Sequence, residues 1–129
     1  MTRINLVHPS TLSGRHLVAE YRELPRVFAL AHKASLSSKP WTDKQPKAYQ
    51  MGTGHVTFFY DKLSFLAERH VKIVQEMLSR GYKPSFTGCL REEWQGRIGK
   101  GYWKGYVPTG EAVKINMQRI WLDSIRNTL

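Results

Sequence analysis

One predicted helix carries proton-transfer groups and arginines side by side. Its ionisable residues spaced by four and three share one helix face: His16, Glu20 and Glu23. By the same arithmetic, three arginines form a neighbouring stripe: Arg15, Arg22 and Arg26. On a solvated face, Glu23 and Arg26 would form an ordinary ion pair worth roughly a few tenths of a kcal/mol. The alternative is that the arginines bind phosphates while Glu23 takes part in a reaction.

The start of the chain offers a second reactive group. Because Thr2 is small, we expect Met1 to be removed, which would leave Thr2 with a free α-amine. Such an amine has an unperturbed pKa of about 7.7–8.0, and cations such as Arg3, Arg22 and Arg26 should lower that pKa. A neutral amine can attack an aldehyde or sugar carbon and form a Schiff base. Taken alone, a threonine at position 2 usually reflects only that removal of Met1 is tolerated.

Length and charge indicate the class of protein and the class of partner. The 129 residues are 41% hydrophobic and 12% aromatic, which predicts one packed domain over residues 1–129. The net charge of +10 and a pI near 10.0 favour a polyanionic partner. The single cysteine, Cys89, excludes an internal disulfide and fits a reducing compartment. With no signal peptide or membrane span recognisable in the sequence, we predict a cytoplasmic protein.

The reactive residues must be positioned by helices, since no convincing alternating strand pattern is present. Apolar spacing predicts three main helices: 10–33, 56–80 and 111–126. Ser10 or Ser13 would cap the first, and Gly81 would end the second. Long irregular connections are predicted at 34–50 and 85–110, both rich in proline, glycine or aromatic residues. The expected fold is all-α and compact.

Metal chemistry has little support in the sequence. The five histidines are dispersed, and no cysteine or histidine cluster has the spacing of a zinc site. His70 falls on the apolar seam of the second helix, where we expect a packed core histidine. We therefore predict no metal site.

Several long segments carry a family resemblance. The segments "MTRINL", "HLVAEYRELPRVF" and "GTGHVTFFYDKLSFL", followed by "RGY", closely resemble the phage-type pyrimidine-dimer DNA glycosylase/AP lyase, the ultraviolet endonuclease V family. The resemblance covers the first 82 residues and continues more loosely through "GYVPTGEAVKI" and the last helix. It implies a mainly helical single domain that needs no metal or organic cofactor.

The resemblance also implies an activity and a set of site residues. The family excises one pyrimidine of an ultraviolet-induced cyclobutane dimer and nicks the strand by β-elimination. Its nucleophilic α-amine corresponds to Thr2, and its catalytic carboxylate to Glu23. The implied contacts to damaged double-stranded DNA come from five residues: Arg3, His16, Arg22, Arg26 and, where the match slips by a residue or two, Arg119. We expect a monomer without membrane association.

Two alternatives and one departure from the family pattern stay open. The chain stops at "SIRNTL" without the aromatic tail that lies near the damaged base in the family, so the preferred lesion is less defined than the lyase chemistry. Tyr102, Trp103 and Tyr106 either stack on bases in place of that tail or pack their loop onto the core. The alternatives are a non-enzymatic basic DNA-binding module, and a lyase or glycosylase acting on another base lesion or on abasic sites alone.

Overall fold

The structure, a computed structural model, describes residues 2–128 and is all-α, as the sequence predicts. Met1, whose removal we expect, lies outside the described residues. Four α-helices are present among them: α1 (Gly14–Leu36), α2 (Leu63–Ser79), α3 (Leu90–Trp94) and α4 (Gly110–Thr128). The three long helices are the three that the sequence predicts, and α3 is a short addition. None of the described helices is both long and apolar enough to cross a membrane.

Helix α1 packs against α2 and carries most of the candidate site. Of the two serines expected to cap it, Ser13 does so, since its hydroxyl accepts a hydrogen bond from His16 N–H at 3.2 Å. Ser10 instead lies in a 3₁₀ turn (Pro9–Thr11) that precedes the helix. The helix continues through Pro25 to Leu36. Its buried face includes Leu17, Leu24, Val27 and Phe28.

Helix α2 begins at Leu63, seven residues later than the predicted start at Val56. Residues 57–59 form a 3₁₀ turn, and Lys62 (φ −120°, ψ 38°) interrupts the helical backbone. Apolar spacing could not reveal this break, because Phe58 and Phe59 are buried in a 3₁₀ turn much as they would be in a helix. The predicted stop is confirmed: Gly81 has φ +82°, a left-handed conformation that favours glycine.

The segment from 85 to 110 is mostly irregular, as predicted, but contains α3 and a 3₁₀ turn (Lys100–Tyr102). Its aromatic side chains Tyr102, Trp103 and Tyr106 are partly buried and pack against the core. Of the two predicted roles, the structure therefore shows the packing role. Helix α4 follows and agrees with the predicted third helix to within two residues.

Residues 2–7, the N-terminal segment, lie against all three long helices. Ile4 is fully buried in the core. Neighbouring residues bond to Glu20 of α1, Arg69 of α2 and Asn116 of α4. The start of the chain is thus part of the folded core, which determines where Thr2 lies.

Candidate active site

Two side chains from the 41–62 region fix the backbone at Ile4. The Ile4 N–H donates to His55 Nε2 at 2.8 Å, and the Tyr49 hydroxyl donates to the Ile4 carbonyl at 2.8 Å. Because Nε2 of His55 accepts, its Nδ1 must carry the proton, which it donates to the Gln50 carbonyl at 2.7 Å. Burial lowers the pKa of His55, which favours this neutral form. Burial also raises the pKa of Tyr49, so that its hydroxyl keeps the proton it donates.

Helix α4 fixes the next residues of the N-terminal segment through Asn116. This side chain is fully buried, and its Oδ1 accepts hydrogen bonds from Leu6 N–H at 2.7 Å and Val7 N–H at 3.3 Å. Its Nδ2 donates to Asn5 Oδ1 at 2.8 Å. One buried amide therefore bonds to three polar groups of the N-terminal segment.

Glu20 and Arg69 form a buried ion pair beneath the N-terminal segment. Glu20 accepts two hydrogen bonds from the Arg69 guanidinium, one of them Nη2 to Oε1 at 2.9 Å, and a third from Asn5 Nδ2 at 2.8 Å. A further Arg69 nitrogen donates to the Val7 carbonyl at 2.9 Å. Although Glu20 and Glu23 lie on the same helix face, Glu20 is occupied by these partners and is placed to hold the structure together.

Thr2 and Glu23 meet at the surface of this scaffold. The Thr2 hydroxyl donates to Glu23 Oε2 at 2.9 Å. Since the backbone nitrogen of a threonine lies within about 4 Å of its own hydroxyl oxygen, Thr2 N lies within about 7 Å of that carboxylate. Arg26 Nη1 lies 3.4 Å from the same oxygen, and its side chain is 69% exposed, against 23% for Glu23. A carboxylate and the α-nitrogen of Thr2 thus share a position open to solvent.

Beside this pair, the carboxylate of Asp123 lies within 4 Å of two arginine side chains and one histidine side chain. Arg3 Nη1 lies 2.5 Å from Asp123 Oδ2, and both His16 Nε2 and Arg119 Nε lie 3.7 Å from the Asp123 carboxylate. These four residues are the Asp123 cluster. His16 Nε2 and Arg119 Nε are buried and make no hydrogen bond to the described residues. Two buried nitrogens therefore lie near a carboxylate without a hydrogen bond to it.

The electrostatics of the Asp123 cluster are set by burial and by Arg3. Burial alone would raise the pKa of Asp123, but the hydrogen bond and charge of Arg3, with the charges of Arg119 and His16, bring it below its usual value. Burial and then the charge of Arg3 lower the pKa of His16, against the opposing effect of Asp123. At neutral pH the carboxylate is ionised and the imidazole is neutral.

Two shallow clefts lie on either side of Arg3 and contain most of the sequence-predicted residues. One, of about 160 Å³, is lined by Arg3, His16, Glu23 and Asp123. The other, of about 140 Å³, is lined by Thr2, Arg3, His55 and Arg119. Arg22 is not brought to either cleft; it lines a separate one of about 400 Å³ with Tyr21, Pro25 and Trp94.

A comparison with known families matches this part of the chain. The family model described as pyrimidine dimer DNA glycosylase matches residues 1–88. The chain belongs to the pyrimidine dimer DNA glycosylase family. This member is therefore a DNA repair glycosylase that acts on damaged DNA.

The matched region of this glycosylase holds Thr2, Glu23, α1 and α2, while α4 lies outside it. Among residues 2–128, no group of three or more histidine, cysteine or acidic side chains is arranged to bind a metal ion. The functional groups at the candidate site are the nitrogen of Thr2, the carboxylate of Glu23 and several arginine guanidinium groups.

The sequence did not single out four residues that shape the site: His55, Arg69, Asn116 and Asp123. Arg69 gave the clearest available signal, because it falls next to His70 on the buried side of α2, where a charge requires a partner. Asp123 follows Arg119 by four residues, which predicts a local ion pair. Nothing in the sequence indicated that Arg3 and His16 would join it.

Proposed function

We propose that this glycosylase excises one pyrimidine of a cyclobutane dimer through a Schiff base on the Thr2 α-amine and then cuts the strand by β-elimination. The observation that supports this most is the 2.9 Å hydrogen bond from the Thr2 hydroxyl to Glu23. It brings an N-terminal residue against a carboxylate on α1, as a nucleophile needs a nearby acid or base. The proposal requires that Met1 be removed.

The first step replaces the bond from C1′ to the base by a bond from C1′ to Thr2 and then opens the sugar ring. The Thr2 nitrogen attacks C1′ of the damaged nucleotide, and the C1′–N1 bond breaks, with its electron pair leaving on the base. The nitrogen then loses a proton to Glu23, the C1′–O4′ bond breaks with O4′ taking up that proton, and the nitrogen lone pair completes an iminium between Thr2 and C1′. The Glu23 carboxylate stabilises the positive charge that develops on the sugar and can take up the proton from the amine.

The second step cuts the DNA strand. A base removes a C2′ proton made acidic by the iminium, and the C3′–O bond breaks, releasing the 3′ phosphate as the leaving group. Water then hydrolyses the iminium and frees the amine. We assign these proton transfers to Glu23, because its carboxylate accepts a hydrogen bond from the Thr2 hydroxyl.

The neighbouring cations are proposed to bind the DNA backbone. His16 Nε2 and Arg119 Nε are buried nitrogens without a hydrogen bond to the described residues. Arg3 lines both clefts, with His16 in the 160 Å³ cleft and Arg119 in the 140 Å³ cleft, so phosphate oxygens entering the two clefts would be bound by Arg3 together with one of these side chains. Arg26, beside Glu23, and Arg22, in the adjoining cleft, would contact further phosphates.

The test is incubation of the purified protein with ultraviolet-irradiated and with abasic duplexes, with and without borohydride. We expect strand cutting on both substrates and a covalent protein–DNA adduct only when borohydride reduces the iminium. Cutting of abasic DNA alone would replace the dimer substrate with the abasic site. Binding without cutting or trapping would support a non-enzymatic module and contradict the proposal.

A further inference from the structure

A second basic cleft lies outside the region matched by the family model. It has a volume of about 440 Å³ and lies at the end of α3 and in the loop that follows. Its cationic side chains are Arg91, Arg97 and Lys100, and Trp103 forms part of its wall. No carboxylate is among its lining residues. We call it the distal basic cleft.

The cations of this cleft differ in their pairing from three cations of the candidate active site. At the active site, Arg3 and Arg119 lie within 4 Å of Asp123, and Arg26 lies 3.4 Å from Glu23. Within residues 2–128, no carboxylate comes that close to the charged nitrogens of Arg91, Arg97 or Lys100. An incoming anion would have no internal carboxylate to displace there.

Tryptophan rings hold two of these guanidinium groups without neutralising them. The Arg97 guanidinium lies 5.1 Å from the centre of the Trp94 ring, and that of Arg91 lies 5.3 Å from the centre of Trp103. Arg91 also donates to the Ser64 hydroxyl at 2.6 Å. Stacking on a ring face orients a guanidinium and leaves its edge free to donate to phosphate oxygens.

Trp94 lies between the distal basic cleft and the cleft that contains Arg22. Its ring lines the 400 Å³ cleft together with Arg22, which is adjacent to Glu23 in sequence, and its face is covered by the guanidinium of Arg97. A duplex that contacts Arg22 and continues past Trp94 would bring backbone phosphates outside the lesion to the distal basic cleft.

We infer that the distal basic cleft binds backbone phosphates of the same DNA duplex, away from the damaged nucleotide. This inference rests on the proposed docking of the damaged strand at Glu23. The contact is to phosphate and not to bases, so it adds affinity and register on the duplex without adding sequence preference. Arg97 and Lys100 are the exposed pair that carries it.

The test compares two double variants of equal charge. Arg97→Gln/Lys100→Gln removes the cleft cations, and Lys44→Gln/Lys72→Gln removes two exposed lysines that line neither the distal basic cleft nor the active-site clefts. Each protein is titrated between 50 and 200 mM salt against duplexes of about 9 and 25 base pairs. Each duplex has a central tetrahydrofuran abasic analogue that is bound but not excised. Thermal unfolding checks that both variants fold.

On the long duplex, the cleft variant should bind at least about tenfold more weakly at low salt. Its slope of log affinity against log salt should be shallower by about two, because about 0.9 counterions are released per phosphate contact. On the short duplex it should bind like the unmodified protein. Three results would overturn the inference. The cleft variant could have the wild-type slope on the long duplex, or it could lose as much affinity on the short duplex as on the long one. The lysine control could also lose as much affinity as the cleft variant.

Suppose that borohydride traps the wild-type protein on abasic DNA, but the cleft variant has the wild-type slope of log affinity against log salt. This result would contradict the distal contact and leave the proposed function standing. Wild-type protein that is never trapped would contradict the proposed function whatever the slopes. If the cleft variant lost affinity for single-stranded RNA or an acidic peptide but not for the long duplex, the cleft would be assigned to the wrong partner.

Discussion

Glu23 has two neighbours of different kinds, and the difference bears on its role. Its contact with Arg26 is a local i,i+3 pair with a largely exposed arginine, and such pairs contribute at most about 1 kcal/mol to stability. Its hydrogen bond from Thr2 spans 21 positions and exists only because the whole N-terminal segment is folded into the core. The second contact is the one that a catalytic role requires.

Replacement of Glu23 by glutamine should separate binding from chemistry. The Glu23→Gln variant keeps the shape and a hydrogen-bond acceptor for Thr2 but loses the negative charge and the capacity to take up a proton. We expect the fold and DNA affinity to be retained and base excision to fall by roughly 10²–10⁴-fold. Single-turnover excision from irradiated duplex measures this. A folded variant with near-normal excision would make Glu23 an ordinary surface ion-pair residue.

In the proposed complex with DNA, a backbone phosphate would approach Arg3, which pairs with Asp123 in the structure. On that proposal, Asp123→Asn removes a negative charge that would compete with DNA for Arg3 and repel the backbone. We expect undamaged duplex to bind several-fold to about tenfold more tightly, equivalent to about 1.4 kcal/mol at the upper limit. Fluorescence anisotropy at fixed salt measures it. Weaker binding would show instead that Asp123 holds Arg3 in its productive position.

Among the elements, the N-terminal segment depends on the buried pair between α1 and α2. In Arg69→Met, Glu20 would be left as an unpaired buried charge and the Val7 carbonyl would lose a donor. We expect the free energy of unfolding to fall by about 3–5 kcal/mol. Lys104→Met, which removes an exposed lysine paired with Asp61, is the matched control and should cost less than about 1 kcal/mol.

A double variant tests the cause of that loss. Glu20→Gln/Arg69→Met leaves no buried charge, so it should be more stable than Arg69→Met alone. Urea unfolding of the three proteins measures the difference. If the double variant were the least stable, lost packing and not the uncompensated charge would explain the effect of Arg69→Met.

The packing of α1 on α2 should make stability depend on pH through His70. Its ring stacks on Tyr21, its Nε2 is buried without a hydrogen-bond partner among the described residues, and burial lowers its pKa below 6.5. The unfolded chain therefore takes up a proton that the folded protein resists as the pH falls below about 6.5. The stability that comes from keeping His70 neutral is therefore fully present above that pH and decreases as the pH falls below it. The lowered pKa values of His16 and His55 act in the same direction.

The His70→Phe variant keeps an aromatic ring at this position but has no side-chain group that takes up a proton. We expect its melting temperature to fall less between pH 7.5 and pH 5.5 than that of the unmodified protein. Thermal unfolding followed by circular dichroism at the two pH values measures this. An identical fall in both proteins would mean that His70 does not contribute to the pH dependence.

Helices that depend on local sequence pattern were predictable, and contacts between residues far apart in the sequence were not. Helix α1 and its Ser13 cap depend on residues within one or two turns, which spacing reveals. The start of α2 was placed too early, because an aromatic 3₁₀ turn has the same apolar spacing as a helix turn. Asn116 bonds to residues about 110 positions away, a relation that periodicity in a single sequence does not contain.

The same distinction holds for the candidate site. Thr2 and Glu23 were each identified from residue type, spacing and family resemblance, but their 2.9 Å contact depends on the buried bonds at Ile4, Leu6 and Val7. The gathering of Arg3 and His16 around Asp123 depends in the same way on how α4 crosses α1.

At the scale of the whole molecule, the region beyond the family match completes the site. Residues 1–88 include the Thr2–Glu23 pair. Helix α4 adds Asn116, which holds the N-terminal segment, and Asp123, which orders Arg3. Near Glu23 the cations Arg3, Arg26 and Arg119 lie within 4 Å of a carboxylate, whereas within the described residues the cations of the distal basic cleft do not. We expect the chain to hold damaged DNA along a path that joins the two.

Peptide mapping of the borohydride-trapped adduct on abasic duplex tests whether the α-amine of Thr2 is the nucleophile. We expect DNA-derived mass on the N-terminal peptide, with its attachment at Thr2. We also expect that Thr2→Ser is trapped, since the amine remains, and that protein with a blocked N-terminus is not. An adduct on an internal lysine such as Lys33 or Lys104, or full activity with the N-terminus blocked, would contradict this mechanism.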